Sequence, residues 1–235
     1  MDKDAVRADV WDTMEETGVA RFPYPPHGRI PNFEDADRAA DRLASLDEWE
    51  SADVVKANPD APQLPVRRAA LHAGKTVYMA VPRLRHEQCF IRLNPAELDD
   101  PDRAATIGGS EDAGVQIGPD DVEPIDLIVV GSVAVTRDGF RIGKGEGYSD
   151  LEYAILSEFG LIDGDVPVTT TVHDIQVLDD DGDPDPHDVP LDRILTPSAD
   201  IDPPAGERPT EIDWSCIDSE QLNEMPVLDR LKPTG

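Results

Sequence analysis

The run Ile125-Asp-Leu-Ile-Val-Val130 constrains this chain more than any other feature. A short, almost wholly apolar, β-branched run has no polar face to offer water. It belongs inside a sheet covered on both sides. Further strand patterns fall at 53–56, 76–81, 166–172 and 192–195, with a weaker one at 90–93. Helical patterns lie between them. Val6, Val10 and Met14 recur every four residues before Gly18. Ala36, Ala39, Ala40, Leu43 and Leu46 share one face of a helix expected over 34–49, and another is expected over 63–73, ending at Gly74. A short helical turn is expected near 102–107. Alternating strands and helices predict an α/β fold: three layers, with a mainly parallel central sheet flanked by helices. Residues 21–32 are Pro-rich and read as an extended loop. The α/β domain is expected to span 1–198. Residues 199–235 read as an acidic, Pro-rich C-terminal tail that packs loosely or is partly disordered.

Charge narrows the function classes. The 235 residues carry 50 acidic and 21 basic groups, a net charge of −29. Of the acids 34 are Asp, and only five of the bases are Lys. This balance is expected of a protein kept soluble in a high-salt, halophilic cytoplasm, where ions screen its self-repulsion. Its mean field repels nucleic acid. No run approaches the roughly 20 apolar residues of a membrane helix, and no basic start with an apolar segment suggests secretion. A cytoplasmic monomer is expected. Cys89 and Cys216 lack zinc-type spacing, and Cys89 reads as a free buried thiol.

The segment Phe140-Arg-Ile-Gly-Lys-Gly-Glu-Gly-Tyr-Ser-Asp150 carries the clearest chemistry. Gly143, Gly145 and Gly147 alternate, with Arg141 and Lys144 beside them. Ser149-Asp-Leu-Glu152 then reads as a capping box opening a helix that runs to Gly160. A glycine loop feeding a helix N-terminus offers free N–H donors and the positive end of a dipole, which is a phosphate-binding arrangement. It is neither a P-loop nor a G-x-G-x-x-G fingerprint. Taken locally, the loop could equally be a glycine-rich turn with no ligand.

Three segments in order carry a resemblance. Residues 126–150, with R-x-G-x-G-x-G-Y before Asp150, resemble the signature of the 5-formyltetrahydrofolate cyclo-ligase (methenyltetrahydrofolate synthetase) family. Lys3-Asp-Ala-Val-Arg7 resembles that family's N-terminal K-x-x-x-R, and His187-Asp-Val-Pro-Leu-Asp192 its late H-D segment. The segment from Ala20 to Phe33 looks like the divergent branch, the methenyltetrahydrofolate synthetase domain-containing proteins. The resemblance covers about 1–198 and implies a Rossmann-type sheet like that of ribose isomerases, with ATP and Mg²⁺ as cofactors and a reduced folate as substrate. It implies an ATP-dependent ligase: 5-formyltetrahydrofolate and ATP give 5,10-methenyltetrahydrofolate, ADP and phosphate, through phosphorylation of the formyl oxygen. By the same match Lys3, Arg7, Arg141, Gly143, Lys144, Gly145, Gly147 and Tyr148 would hold ATP. Arg141 and Lys144 would carry the catalytic charge, and Asp150 and Asp188 would hold Mg²⁺. Tyr148 would also touch folate.

Three positions depart from the family pattern. Glu146 stands where small or basic residues are usual, and Ser149 replaces a second Tyr. The family's E-[VI]-x-T segment, whose Glu helps hold the pterin, is replaced by Pro59-Asp-Ala-Pro-Gln63, which leaves Asp60 as the substitute. The bland readings run alongside. Lys3 and Arg7 could be a solvated helix face, and Asp150 a first-turn acid on the helix dipole. Asp179, Asp180, Asp181, Asp183 and Asp185 read as a solvated loop around Asp188. The rival functions are a non-catalytic nucleotide- or RNA-binding regulator, or another small-molecule ligase using the same ATP loop.

Overall fold

The computed structural model describes residues 2–179, 182–217 and 219–232. Asp180 and Asp181 of the acidic run, and Asp218 and 233–235 of the expected tail, lie outside them. The strands are β1 (Ala20–Arg21), β2 (Asn32–Phe33), β3 (Val54–Ala57), β4 (Thr76–Ala80), β5 (Phe90–Leu93), β6 (Val115–Ile117), β7 (Leu127–Val130), β8 (Ala134–Thr136), β9 (Arg141–Ile142), β10 (Val168–Thr171), β11 (Val177–Leu178), β12 (Arg193–Leu195) and β13 (Asp200–Ile201). The helices are α1 (Lys3–Glu16), α2 (Ala36–Leu43), α3 (Asp47–Ser51), α4 (Leu64–His72), α5 (Pro101–Ala104), α6 (Ile107–Ala113), α7 (Tyr148–Glu158), α8 (Ser219–Glu224) and α9 (Pro226–Leu231).

The main sheet has the order β13-β12-β10-β7-β3-β4-β5-β6. Its five central strands, β12 to β4, are parallel; β13, β5 and β6 add antiparallel edges. The mainly parallel α/β fold therefore stands. In chain order the five parallel strands lie 2-1-3-4-5, a doubly wound arrangement whose order reverses between β3 and β7.

Side-chain alternation builds both layers. Val55, Val77, Met79, Leu127 and Val129 pack with Ala40, Leu43, Val66 and Ala70 on one face. Tyr78, Ile128 and Val130 pack with Leu151, Ala154 and Ile155 of α7 on the other. This period of two along strands buried on both sides is the physical content of the run at 125–130. A third cluster joins Val10 and Met14 of α1 to Phe140 and to Ala134 and Ile142 of a small sheet, β11-β8-β9.

Three local expectations are corrected. The helix expected over 34–49 is two helices, because Ser45 Oγ donates to the Arg42 carbonyl and i→i−3 bonds tighten the end of α2. The helical turn near 102–107 is α5 and α6. The stretch after 199 does not pack loosely: β13 pairs with β12, and Ile212, Met225, Val227 and Leu228 are buried in the same cluster as α7. With Ile201, Trp214, Ile217, Leu222 and Leu231 packed against the same cluster, their burial holds this acidic, Pro-rich stretch down. Among the described residues no helix is long and apolar enough to cross a membrane. Both cysteines are free, Cys89 buried and Cys216 exposed.

Candidate functional site

The carboxyl ends of β3, β4 and β7 converge where the strand order reverses, the place at which open α/β sheets form a crevice. β3 runs into Asn58-Pro-Asp60, and β4 into the segment 81–84. β7 leads through the β8–β9 hairpin to the glycine loop. Together they enclose a cleft of about 410 Å³, and every site residue named from the sequence lines it. Gly131 makes the convergence possible. A Cβ there would stand 2.8 Å from Asp60 Oδ2, so only glycine lets that carboxylate reach the end of β7.

Arg67 of α4 fixes the turn after β3. Its Nη1 donates to the carbonyls of Asn58 (2.5 Å) and Asp60 (3.0 Å), and its Nε to Ala105 (2.8 Å). Burial pulls the guanidinium down to about 10 even though Asp60 opposes the shift. Burial likewise pushes the Asp60 carboxyl up, against the pull of Lys144, Arg67 and Lys56.

The loop is held from both ends of the chain. Arg7 Nε donates to the Gly143 carbonyl at 2.7 Å, and its guanidinium lies against Gly145. Lys3 Nζ bridges Asp185 (2.8 Å) and Asp188 (2.9 Å). Burial lowers the Lys3 pKa, but the two carboxylates outweigh it and leave the net value raised. Arg141 is buried; it donates to the Gly131 carbonyl at 3.1 Å and to Asp150 Oδ2 at 2.5 Å. Its guanidinium therefore braces the loop from within. Lys144 reaches Glu146 at 2.7 Å, and Arg83 reaches the same carboxylate at 3.8 Å.

The expected capping box does not form. Gly147, at φ 68°, caps α7 without a side-chain acceptor, so the first-turn N–H groups have no side-chain partner there. Ser149 and Glu152 turn inward instead. Lys56 Nζ donates to Glu152 Oε2 (2.6 Å) and Asn58 Oδ1 (2.5 Å), and Asn58 Nδ2 donates to Ser149 Oγ (2.8 Å). Lys56 and Glu152 are buried, and burial pushes the Glu152 carboxyl up against the pull of Lys56. Glu152 Oε1 is buried without a hydrogen-bond partner, and Asn58, Ser149 and Glu152 all line the cleft.

Sequence reading missed Lys56, Asn58, Glu152 and Arg67. One signal was available: a lone Lys ends one apolar strand pattern and a lone Glu interrupts the apolar face of α7, with opposite signs. Buried charges of that kind are retained when they pair.

Asp150 and Asp188 offer hard oxygen donors in the same cleft. Asp150 Oδ1 accepts the Val189 N–H at 3.2 Å, which ties the two acidic segments together. That donor set fits Mg²⁺, which takes a few carboxylates and completes its shell with water and phosphate oxygens.

The strand order and the glycine-loop cleft at the switch point define a doubly wound α/β protein with a crevice lined by both basic and acidic side chains. More particularly, the chain belongs to the 5-formyltetrahydrofolate cyclo-ligase family, whose model matches residues 2–197. A methenyltetrahydrofolate synthase domain-containing protein of Mus musculus is 43% identical over 235 residues, covering 98% of this chain and 63% of that protein. The Homo sapiens protein of the same description is 39% identical, covering 98% and 61%. The chain thus spans about three-fifths of the length of these relatives. The NMR structure of an Aquifex aeolicus 5,10-methenyltetrahydrofolate synthetase shares the fold at a TM-score of 0.55. It is 19% identical and aligns over 92% of this chain and 100% of that one.

Proposed function

We propose that the cleft binds ATP with Mg²⁺ and a reduced folate, and that the chain converts 5-formyltetrahydrofolate to 5,10-methenyltetrahydrofolate. The observation that carries this reading is the gathering of Lys3, Arg7, Lys144, Asp60, Asp150 and Asp188 from four stretches of chain around one glycine loop. Phosphoryl transfer depends on positioning and on neutralising oxygen charge, and these residues supply both. The formyl oxygen attacks the γ-phosphorus and ADP leaves. The N10 amine then attacks the activated carbon, the carbon–oxygen bond breaks to release phosphate, and the N10 proton passes to solvent as the ring closes.

Lys144 is assigned to the transferring phosphate, and the Gly143, Gly145 and Gly147 backbone to the phosphate chain. Arg141 holds Asp150 in place. Asp150 and Asp188 would hold Mg²⁺, which supplies charge neutralisation on the phosphates. Tyr148 is assigned to the junction between nucleotide and folate, and Asp60 to the pterin. The test is the absorbance of the methenyl product with ATP, Mg²⁺ and 5-formyltetrahydrofolate. Product formation that disappears in both Lys144→Ala and Asp150→Asn supports the reading; an unchanged rate in both refutes the assigned roles.

A second reading is a non-catalytic nucleotide- or RNA-binding regulator. The Lys144–Glu146 pair favours it, because a carboxylate already occupies the loop's most accessible cation. Calorimetric ATP binding with no folate turnover would select it.

A further inference from the structure

A second cluster lies beside the glycine loop, made of residues to which the folate reading gives no role. Residues 213–216 form a tight turn, closed by the Cys216 N–H donating to the Asp213 carbonyl at 3.0 Å. Buried Ile212 anchors the turn on one side, and Trp214 and Ile217 pack against the main core. Within it Ser215 donates to Asp213 Oδ1 twice, from its N–H (3.0 Å) and its hydroxyl (2.6 Å). These bonds leave Oδ2 facing Cys216 Sγ at 3.2 Å. From a separate segment His187 places Nδ1 3.6 Å from the same sulfur. The three ligand atoms lie within 4.8 Å of one another.

The two separations from the sulfur, 3.2 Å and 3.6 Å, are close to those between neighbouring ligands of one metal ion. With Zn–S near 2.3 Å and Zn–N or Zn–O near 2.0–2.1 Å, the edges of a tetrahedron are about 3.5 Å. The carboxylate is already oriented by Ser215, as hydrogen-bond partners behind a metal ligand orient it. Thiolate with imidazole selects a borderline ion over Mg²⁺, which prefers all-oxygen shells. The neighbouring Asp185 and Asp188 are bridged by Lys3.

We propose that His187 Nδ1, Asp213 Oδ2 and Cys216 Sγ form a site for a divalent transition-metal ion of the zinc class. Three protein ligands leave the fourth position open. The cluster lines a cleft of about 210 Å³ shared with Gly145, Gly147 and Asp150, so water or an anion oxygen beside the glycine loop completes the shell. The bound ion ties the 213–216 turn to the segment that carries Asp188.

Cobalt(II) titration of the reduced full chain tests this. The expected result is a near-ultraviolet thiolate-to-cobalt charge-transfer band with tetrahedral visible bands. They saturate at one equivalent and are discharged by Zn²⁺ but not by excess Mg²⁺. Cys216→Ser and His187→Ala abolish the charge-transfer band, whereas Cys89→Ser keeps it; circular dichroism verifies that each variant is folded. Overturning results are weak octahedral absorption with no charge-transfer band in the folded wild type, or a band that survives Cys216→Ser or His187→Ala.

Discussion

Lys56 Nζ stands 2.6 Å from Glu152 Oε2, and both side chains are buried between β3 and α7. The pair fixes the helix that starts at the glycine loop to the strand that leads into the Asp60 turn. Electrostatics inside the fold therefore sets the relative position of the loop and the far wall of the cleft.

Removing one partner strands a buried charge. Lys56→Met and Glu152→Leu are each expected to cost about 3–5 kcal/mol, whereas the double variant is neutral or stabilising. Urea unfolding of the three variants checks this; equal losses that simply add would show that the pair is not coupled.

Arg67→Met leaves the carbonyls of Asn58 and Ala105 without their donor, while that of Asp60 keeps the Gln63 N–H. A loss of about 2 kcal/mol or more is expected, at roughly 1–3 kcal/mol for each unmet buried acceptor. A chemical-denaturation midpoint close to wild type would contradict this account of the β3–α4 turn.

Glu146 competes for the loop's cation. Glu146→Gln is expected to tighten ATP several-fold by freeing Lys144. Lys144→Ala is expected to weaken it by about 1.5–3 kcal/mol, roughly ten- to a hundredfold. Isothermal calorimetry reads both, and the idea fails if the two substitutions shift affinity in the same direction.

Burial raises the Asp60 carboxyl above its ordinary 3.8. The folded protein therefore keeps this proton at a pH where the unfolded chain has released it. The resulting stabilisation is complete below the unfolded value and is lost as pH rises through the folded one. Asp60→Asn is expected to flatten that part of the stability curve. Denaturation midpoints measured from about pH 4 to about pH 7 for both proteins test it, and parallel curves would exclude Asp60 as the source.

With a net charge of −29, the folded chain repels itself. Screening shortens from about 10 Å at 0.1 M salt to about 3 Å at 1 M. The melting temperature is expected to rise with KCl across that range. A melt independent of salt would separate the acidic composition from stability.

How much of this was legible in the residues depends on the range of the forces involved. The run at 125–130 announced a strand buried on both faces, and it lies at the centre of the sheet. The i, i+4 spacing of Val6, Val10 and Met14 announced α1, of which Val10 and Met14 are buried. The helix over 34–49 was read as continuous because apolar spacing does not register a serine hydroxyl competing for a carbonyl. Ser149 and Glu152 matched a helix cap locally, yet Asn58 and Lys56, more than ninety residues away in sequence, drew them inward.

By itself the sequence determined the α/β class, the glycine loop and the candidate cations, because periodicity, backbone freedom and side-chain charge are local properties. Tertiary structure alone decided that Lys3 meets Asp188, that Arg141 turns to Asp150, and that Lys56 meets Glu152 beneath the cleft. Those partners come from segments brought together only by chain folding. Burial then strengthens their attraction and makes leaving any one of them unpaired costly.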